Sequence, residues 1–350
     1  MNPRVKIASI GGGWVANNRH LNALQKSGLY HILGVVSDKA DRARQTAVRH
    51  GIANHTTDLD FSKGWLADTD AVMIGTIPHV HHTIADAALR AGKHVLTEKP
   101  MTVDPKDARQ LIALAEDQQR VLAVVHNFQF GRAARSFLDD VERERIGSIK
   151  AVYGVQLCNH KRNIPDWCDR LPLGLFYDEA PHFYYMFRCL TGGEIDLVSS
   201  TVWQAAMEGR NTPRAVNAEY RAPDGFPVFL HINFDASITE WHVTVVGEKA
   251  TADIDVWRDI YVRLPNDGVH SAKDILWTSL TGAGQHFRGV LTGGFRYLRK
   301  KHHYGNDEVV RRFYRAMQGE DCLQGMNAHE GLRVVELMHE LIDEARYVGS

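Results

Sequence analysis

The sequence is poor in the features that would send a chain to a bilayer, a nucleic acid or an oxidising compartment. No apolar run approaches the roughly 20 residues that a spanning helix needs, so no transmembrane segment is expected. Only four cysteines occur, Cys158, Cys168, Cys189 and Cys322, without the paired spacing of a metal site. The N-terminus enters a strand-like run with no leader pattern of charged, apolar and small residues. Both absences point to a reducing cytoplasm. Neither charge sign is in surplus: 41 Lys and Arg face 42 Asp and Glu, a formal net charge of −1. No global field therefore recruits nucleic acid or an anionic membrane. Low-complexity tracts and internal repeats are also lacking.

What is present suits about two compact domains, since 350 residues at 44% hydrophobic can bury two cores. Arg4 to Ile10 reads as a buried parallel strand, followed at once by Gly11-Gly12-Gly13-Trp14-Val15-Ala16, which matches G-x-G-x-x-A. The glycines permit a tight turn and close approach to a pyrophosphate, and Ala16 permits close packing of the next helix. A second strand, His31 to Val36, ends in Ser37-Asp38. Asp38 stands 22 residues beyond Ala16 (38 − 16), near the roughly 20 expected of an acid that accepts from the ribose 2′-hydroxyl. Its carboxylate would repel a 2′-phosphate and favour NAD, while Lys39 and Arg42 close by keep NADP open. The plainer alternative is a turn, with Asp38 capping the next helix.

Helix and strand go on alternating through Asp41 to His50, Asp70 to Gly75 and Thr83 to Ala91, the pattern of a parallel sheet with crossovers. Between the last two lies the loop Thr76 to His82, with His79, His81 and His82. No acidic or cysteine ligand accompanies these histidines, so no metal is assigned. Gly92 to Thr97 is a short apolar strand that ends in Glu98-Lys99-Pro100. Pro100 biases Lys99 towards extended angles, which places the ammonium just past the strand's carboxyl end, where open α/β sheets bind ligands. A helix from Ala108 to Gln118 and a strand from Val121 to Val125 lead into His126-Asn127-Phe128-Gln129-Phe130. The first domain is expected to close at residue 126, leaving 127–350 as the second.

These motifs, in this order and spacing, resemble the glucose-fructose oxidoreductase, inositol dehydrogenase and rhizopine catabolism family, Gfo/Idh/MocA. The resemblance covers nearly the whole chain. It implies an α/β fold: an N-terminal Rossmann domain with a doubly wound parallel sheet, then a C-terminal α+β domain with a large, mostly antiparallel open sheet. It also implies a homo-oligomer, dimer or tetramer, built through that second sheet. The dinucleotide contacts expected on motif and resemblance together are Gly11, Gly13, Trp14, Val15, Ala16, Asp38, Thr76, His79, His81, Glu98, Lys99, Asn127 and Gln129.

The second domain alternates with period two. Glu219 to Ala222 and Phe226 to Phe234 flank the turn Pro223-Asp224-Gly225, and Glu240 to Val246 and Thr251 to Val256 flank another at Gly247-Glu248-Lys249. Within it, Gly174, Asp178 and His182 match the family's Gly-Gly then Asp-x-Gly-x-His pattern, with Leu173, Ala180 and Tyr185 as departures. Tyr185 stands where an aspartate is common. Asp178 and His182 are four apart, so a helix would set them on one face. Taking a hydride from a carbinol requires the hydroxyl proton to leave, and an imidazole titrates near working pH. The resemblance implies a catalytic set of Lys99, Asp178 and His182. His182 would be acid or base, Asp178 would orient it, and Lys99 would polarise the oxygen. On the residues alone, Asp178 as a helix cap with His182 satisfied nearby stays open.

Asn159, His160, Arg162 and Trp167, in a polar loop, are substrate candidates alongside Lys99, Asp178 and His182. The stretch 281–305 mixes glycines with Arg288, Arg296, Arg299, Lys300 and Lys301. It reads as a solvated helix face, a hinged lid over a phosphorylated substrate, or a contact with an anionic membrane surface. The function expected is transfer of a hydride between NAD(P) and a secondary alcohol or ketone of a sugar, cyclitol or nucleotide sugar. A dinucleotide-binding regulator and an NAD-dependent glycosidase are the alternatives.

Overall fold

The computed structural model describes residues 4–204, 209–298 and 304–349. Two compact units emerge, one of Met1–Asn127 with Gly305–Glu336, the other of Phe128–Tyr304 with Leu337–Ser350. The division expected from sequence, 1–126 and then 127–350, misses the return of Gly305–Glu336 to the first unit. Three bonds fix that return: Tyr30 Oη donates to Val310 O at 2.6 Å, the Val124 amide to Met326 O at 2.8 Å, and His126 Nδ1 meets Gly325 O at 2.8 Å. The second of them satisfies a backbone amide of the sheet's edge strand, Leu122–Val124, which would otherwise stand open.

The first unit is built on six parallel strands, β1 (Val5–Ile10), β2 (Tyr30–Val36), β3 (Asn54–Thr56), β4 (Ala71–Ile74), β5 (His94–Thr97) and β6 (Leu122–Val124). Their order is β3-β2-β1-β4-β5-β6. β4 is buried at every residue, as a strand covered by helices on both faces must be. The strand order reverses between β1 and β4, and the carboxyl edge at such a switch point is where ligands enter doubly wound sheets.

The second unit carries eight strands: β7 (Ile149–Asn159), β8 (Asp196–Trp203), β9 (Ala215–Arg221), β10 (Pro227–Ala236), β11 (Glu240–Gly247), β12 (Ala250–Asp255), β13 (Ile260–Pro265) and β14 (Arg346–Val348). They run β13-β12-β11-β7-β10-β9-β8-β14, with β7/β10 and β8/β14 parallel and the other pairs antiparallel. Alternation puts Val228, Leu230, Ile232 and Phe234 of β10 on the buried face. β7, in the middle of the sheet, was not anticipated. Its Gly154 explains how the helix Pro181–Thr191 comes so close, since a Cβ there would stand 2.4 Å from Phe187 Cζ. The glycines of 281–293 form no hinge: Ala272–Leu298 is one continuous helix. Residues 299–303, which include Arg299, Lys300 and Lys301, lie outside the described residues.

Candidate active site

In the first unit the chain leaves β1 through Gly11, whose φ is +113° and whose position a Cβ could occupy only at 2.3 Å from Gly75 O. Only glycine fits a turn so close to a neighbouring backbone. Behind the loop, Asn17 Nδ2 donates to Gly12 O at 2.9 Å and to Gly13 O at 3.0 Å. In front it is open, with nothing within 4 Å of where a Gly13 Cβ would stand. The turn Ala16–His20 follows, and the N–H groups that open a helix have no intrahelical acceptor. Val15 is half-buried. Trp14 is exposed beneath Arg19, whose guanidinium carbon lies 5.4 Å from the ring centroid. Beyond β2, Asp38 is exposed and accepts from Arg42 Nη1 at 2.9 Å and from Ser37 Oγ at 3.1 Å.

The loops after β4 and β5 are tied to each other. His81 is fully buried, its Nδ1 on Pro100 O at 2.9 Å and its Nε2 on Thr76 O at 3.3 Å. Burial lowers its pKa despite the two carbonyls. The ring that the sequence placed against the dinucleotide has a backbone carbonyl beside each nitrogen, and its neutral form donates to one of them. His79, between them in the chain, has both ring nitrogens buried with no hydrogen-bond partner among the described residues. A buried polar pair of this kind calls for a group to bond to. Past β5, His20 Nε2 meets Glu98 Oε1 at 2.7 Å, and the other carboxylate oxygen accepts from the Lys99 amide at 3.1 Å. Burial pushes the Glu98 carboxyl up, but the His20 hydrogen bond and the charges of His20 and Lys99 outweigh it and hold it below the usual range. Lys99 is half-buried, and its bond to Pro100 is cis. Asn127 closes this unit and is buried.

In the second unit, Asp178 and His182 do not share one helix. Leu175–Glu179 carries the aspartate, Pro181–Thr191 carries the histidine, and Ala180 joins them. A proline begins the second helix because the first turn needs no donor from its nitrogen. His182 is buried, and its Nδ1 lies 2.8 Å from Tyr185 Oη, one turn on. That phenol also accepts from the Phe128 amide at 3.2 Å. Phe128 and Trp241 pack edge-on against the imidazole at centroid distances of 4.7 and 5.1 Å. Tyr185 was visible in the sequence only as a departure from the family pattern. Nothing local announced Trp241, which arrives from β11, or His20 as the partner of Glu98.

The remaining expected residues scatter within this unit. Gln129 is buried in the turn Phe128–Phe130. Asn159 Nδ2 donates to Ser237 O at 2.6 Å, and His160 Nδ1 meets Ala236 O at 3.0 Å. Trp167 is half-buried in the turn Asp166–Arg170. Arg162 reaches Glu179 Oε1 at 2.6 Å, and the buried Glu179 also accepts from Gln156 Nε2 at 3.1 Å. The Glu179 carboxylate raises the Arg162 pKa. Glu240, His242 and Asp255 are close enough to hold a cation, but Arg258 already supplies one, at 2.8 Å from both Glu240 Oε1 and Asp255 Oδ2.

Comparison with known proteins agrees with this architecture. The family model described as oxidoreductase family, NAD-binding Rossmann fold, matches residues 5–126, and the GFO/IDH/MocA C-terminal domain matches residues 132–253. The chain is 32% identical over 138 residues to 1,5-anhydro-D-fructose reductase of Ensifer adhaerens, covering 39% of this chain and 41% of that one. It is 33% identical over 152 residues to dTDP-3,4-didehydro-2,6-dideoxy-alpha-D-glucose 3-reductase of Actinomadura kijaniata, covering 42% and 44%. The matches thus span less than half the length of these curated relatives. Among solved structures, the WlbA dehydrogenase of Bordetella pertussis, in complex with NADH and UDP-GlcNAcA, superposes with a TM-score of 0.79 at 17% identity, over 98% of this chain and 96% of that one. With the glycine loop, the Glu98-Lys99-Pro100 strand end and both domain matches in place, the chain belongs to the Gfo/Idh/MocA family.

Proposed function

We propose that the protein is an NAD(P)-dependent oxidoreductase that interconverts a secondary alcohol and a ketone on a sugar, cyclitol or nucleotide sugar. The observation that carries the proposal is His182, a buried imidazole fixed at Nδ1 by a phenol and walled by aromatic rings. Its Nε2 is then the nitrogen that exchanges a proton with the carbinol oxygen, and a positioned group of this kind contributes roughly 10²- to 10⁴-fold. The first unit fits a dinucleotide on two counts: the open front of Gly13 and the unpartnered buried nitrogens of His79. Bound there, the nicotinamide would supply the hydride acceptor or donor. Gly11 to Ala16 would hold the pyrophosphate and Asp38 the ribose, which favours NAD because a carboxylate repels a 2′-phosphate. Lys99 would stabilise negative charge as it develops on the reacting oxygen.

The outer face of the eight-stranded sheet, where Tyr153 stacks on Phe229 at 5.1 Å, is the surface we assign to a second copy. The cysteines are all free thiols, in keeping with the cytosol we assign. The deciding test follows absorbance at the NADH band over a panel of sugars, cyclitols and nucleotide sugars with both cofactors. A dehydrogenase accumulates NADH in proportion to product. Sugar release without net NADH, or dinucleotide binding with no turnover on any substrate, would end the proposal.

A further inference from the structure

Two side-chain atoms of the second unit are buried without a hydrogen-bond partner among the described residues: Trp241 Nε1, a donor, and Gln156 Oε1, an acceptor. The two residues are register partners on β11 and β7, on the sheet face that carries Gly154 and packs against the helix Pro181–Thr191. They are 4% and 2% exposed. Side chains directly opposite on one face stand near enough to meet, yet these two do not bond to each other. Other neighbours hold each of them. Gln156 Nε2 donates to Glu179 Oε2 at 3.1 Å, and because only the amide nitrogen can donate, the carboxylate decides which end of the amide is left over. Glu179 is itself anchored by Arg162 at 2.6 Å. The Trp241 indole is set among the rings of Phe128, Phe183 and His182, at centroid distances of 5.3, 5.4 and 5.1 Å.

A buried polar atom left unpaired is costly and calls for a group to bond to. Here a donor and an acceptor are kept in that condition side by side, next to the imidazole assigned the proton transfer. Hydrogen-bonding capacity selects the missing group. A hydroxyl accepts and donates at once, so it satisfies the indole N–H and the amide carbonyl together. A ketone or carboxylate oxygen could serve only the indole, and an ammonium only the amide. Aromatic walls with a few placed polar groups are also the make of small-ligand sites, where the polar groups fix the orientation of the ligand.

We propose that Trp241 and Gln156 together recognise a substrate hydroxyl on the carbon next to the one that exchanges hydride, so that the protein prefers vicinal diols to deoxy sugars. The position of that hydroxyl rests on the reaction assigned above to His182. The test compares kcat/KM for the best substrate of the panel with that for its analogue deoxygenated at the neighbouring carbon. Wild type should lose on the order of 10²-fold or more on the deoxy analogue, because both polar atoms then stay unpaired. Trp241→Phe, which lacks the N–H, should be slower on the diol and narrow that ratio to about tenfold or less. Should that variant unfold by circular dichroism, Gln156→Met is the second probe, with the same narrowing expected. A further readout needs no turnover: the Trp241 indole N–H resonance of isotope-labelled protein, assigned by its loss in Trp241→Phe, should shift with panel members that carry the diol and stay put with the deoxy analogue. A shift without redox change on any substrate would end the reaction and keep the hydroxyl site. Turnover in which the deoxy analogue matches the diol, or in which the folded variants keep the wild-type ratio, would end the site and keep the reaction. A resonance unmoved by every member of the panel would also overturn the proposal and leave the pair to an internal water.

Discussion

The two units hold an imidazole in opposite ways. In the first, His20 is set against a carboxylate, Glu98, at 2.7 Å. In the second, His182 is set against a phenol, Tyr185, at 2.8 Å. A carboxylate can only accept and so fixes which ring nitrogen carries the proton facing it, whereas a phenol can donate or accept and orients the ring without dictating that choice. The first arrangement suits a fixed strut beneath the Lys99 amide. The second suits a group that must take up and release a proton in every turnover.

The widest break in this contrast removes the imidazole proposed to carry the proton. His182→Gln is expected to lower kcat by roughly 10²- to 10⁴-fold, with NAD affinity and the unfolding midpoint near wild type. Unchanged turnover would place the proton transfer elsewhere. Next comes the strut. His20→Ala strands the largely buried Glu98 carboxylate, at a cost on the order of 3 kcal/mol, read by urea denaturation at neutral pH. The sign with pH follows from Glu98, whose folded pKa lies below the usual 4.5. Its contribution is complete above the unfolded carboxylate value and is lost as pH falls through the folded one. Stability of the wild type should therefore drop on acidification more steeply than that of His20→Ala, and parallel acid limbs would refute the pairing.

A smaller effect sharpens the comparison by giving the second imidazole the first one's partner. Tyr185→Asp would raise the His182 pKa by about 1–3 units. Because oxidation needs the neutral ring, the rise of kcat/KM would move to higher pH by a similar amount. Tyr185→Phe would lower the rate without moving the profile, and a profile unmoved in both would make Tyr185 a packing residue only. The smallest change expected is at Asp38. It is exposed and partnered by Arg42, so Asp38→Ser should relax the preference for NAD over NADP by about tenfold, or about 1.4 kcal/mol, measured as a ratio of kcat/KM values.

Much of this was legible because it is local. The strand, glycine turn, helix and acid from Val5 to Asp38 are short-range features, and the order of motifs along the first 130 residues specifies a parallel sheet. The hairpin at Pro223-Asp224-Gly225 is set by its turn, with the Gly225 amide on Ala222 O at 2.9 Å. What escaped depends on partners far away in the chain. The central strand β7 is recognisable only once β10 and β11 flank it. The glycines of 281–293 look like hinges until β13 is seen beneath them, where they are what allows a helix to lie flush. Of the residues proposed to act, the sequence named His182 and Lys99, each within its own unit, but not that Phe128 and Trp241 wall the first or that His20 pairs with the carboxylate next to the second.

The return of Gly305–Glu336 to the first unit also orders events at the ribosome. The opening 127 residues emerge with their sheet nearly whole, yet the segment that bonds to Val124 and Tyr30 is made only after the entire eight-stranded sheet except β14 has left the exit tunnel. The unit begun first is thus finished almost last. A nascent chain stalled anywhere between 130 and 300 would present an incomplete Rossmann unit, with the Val124 amide still waiting for Met326.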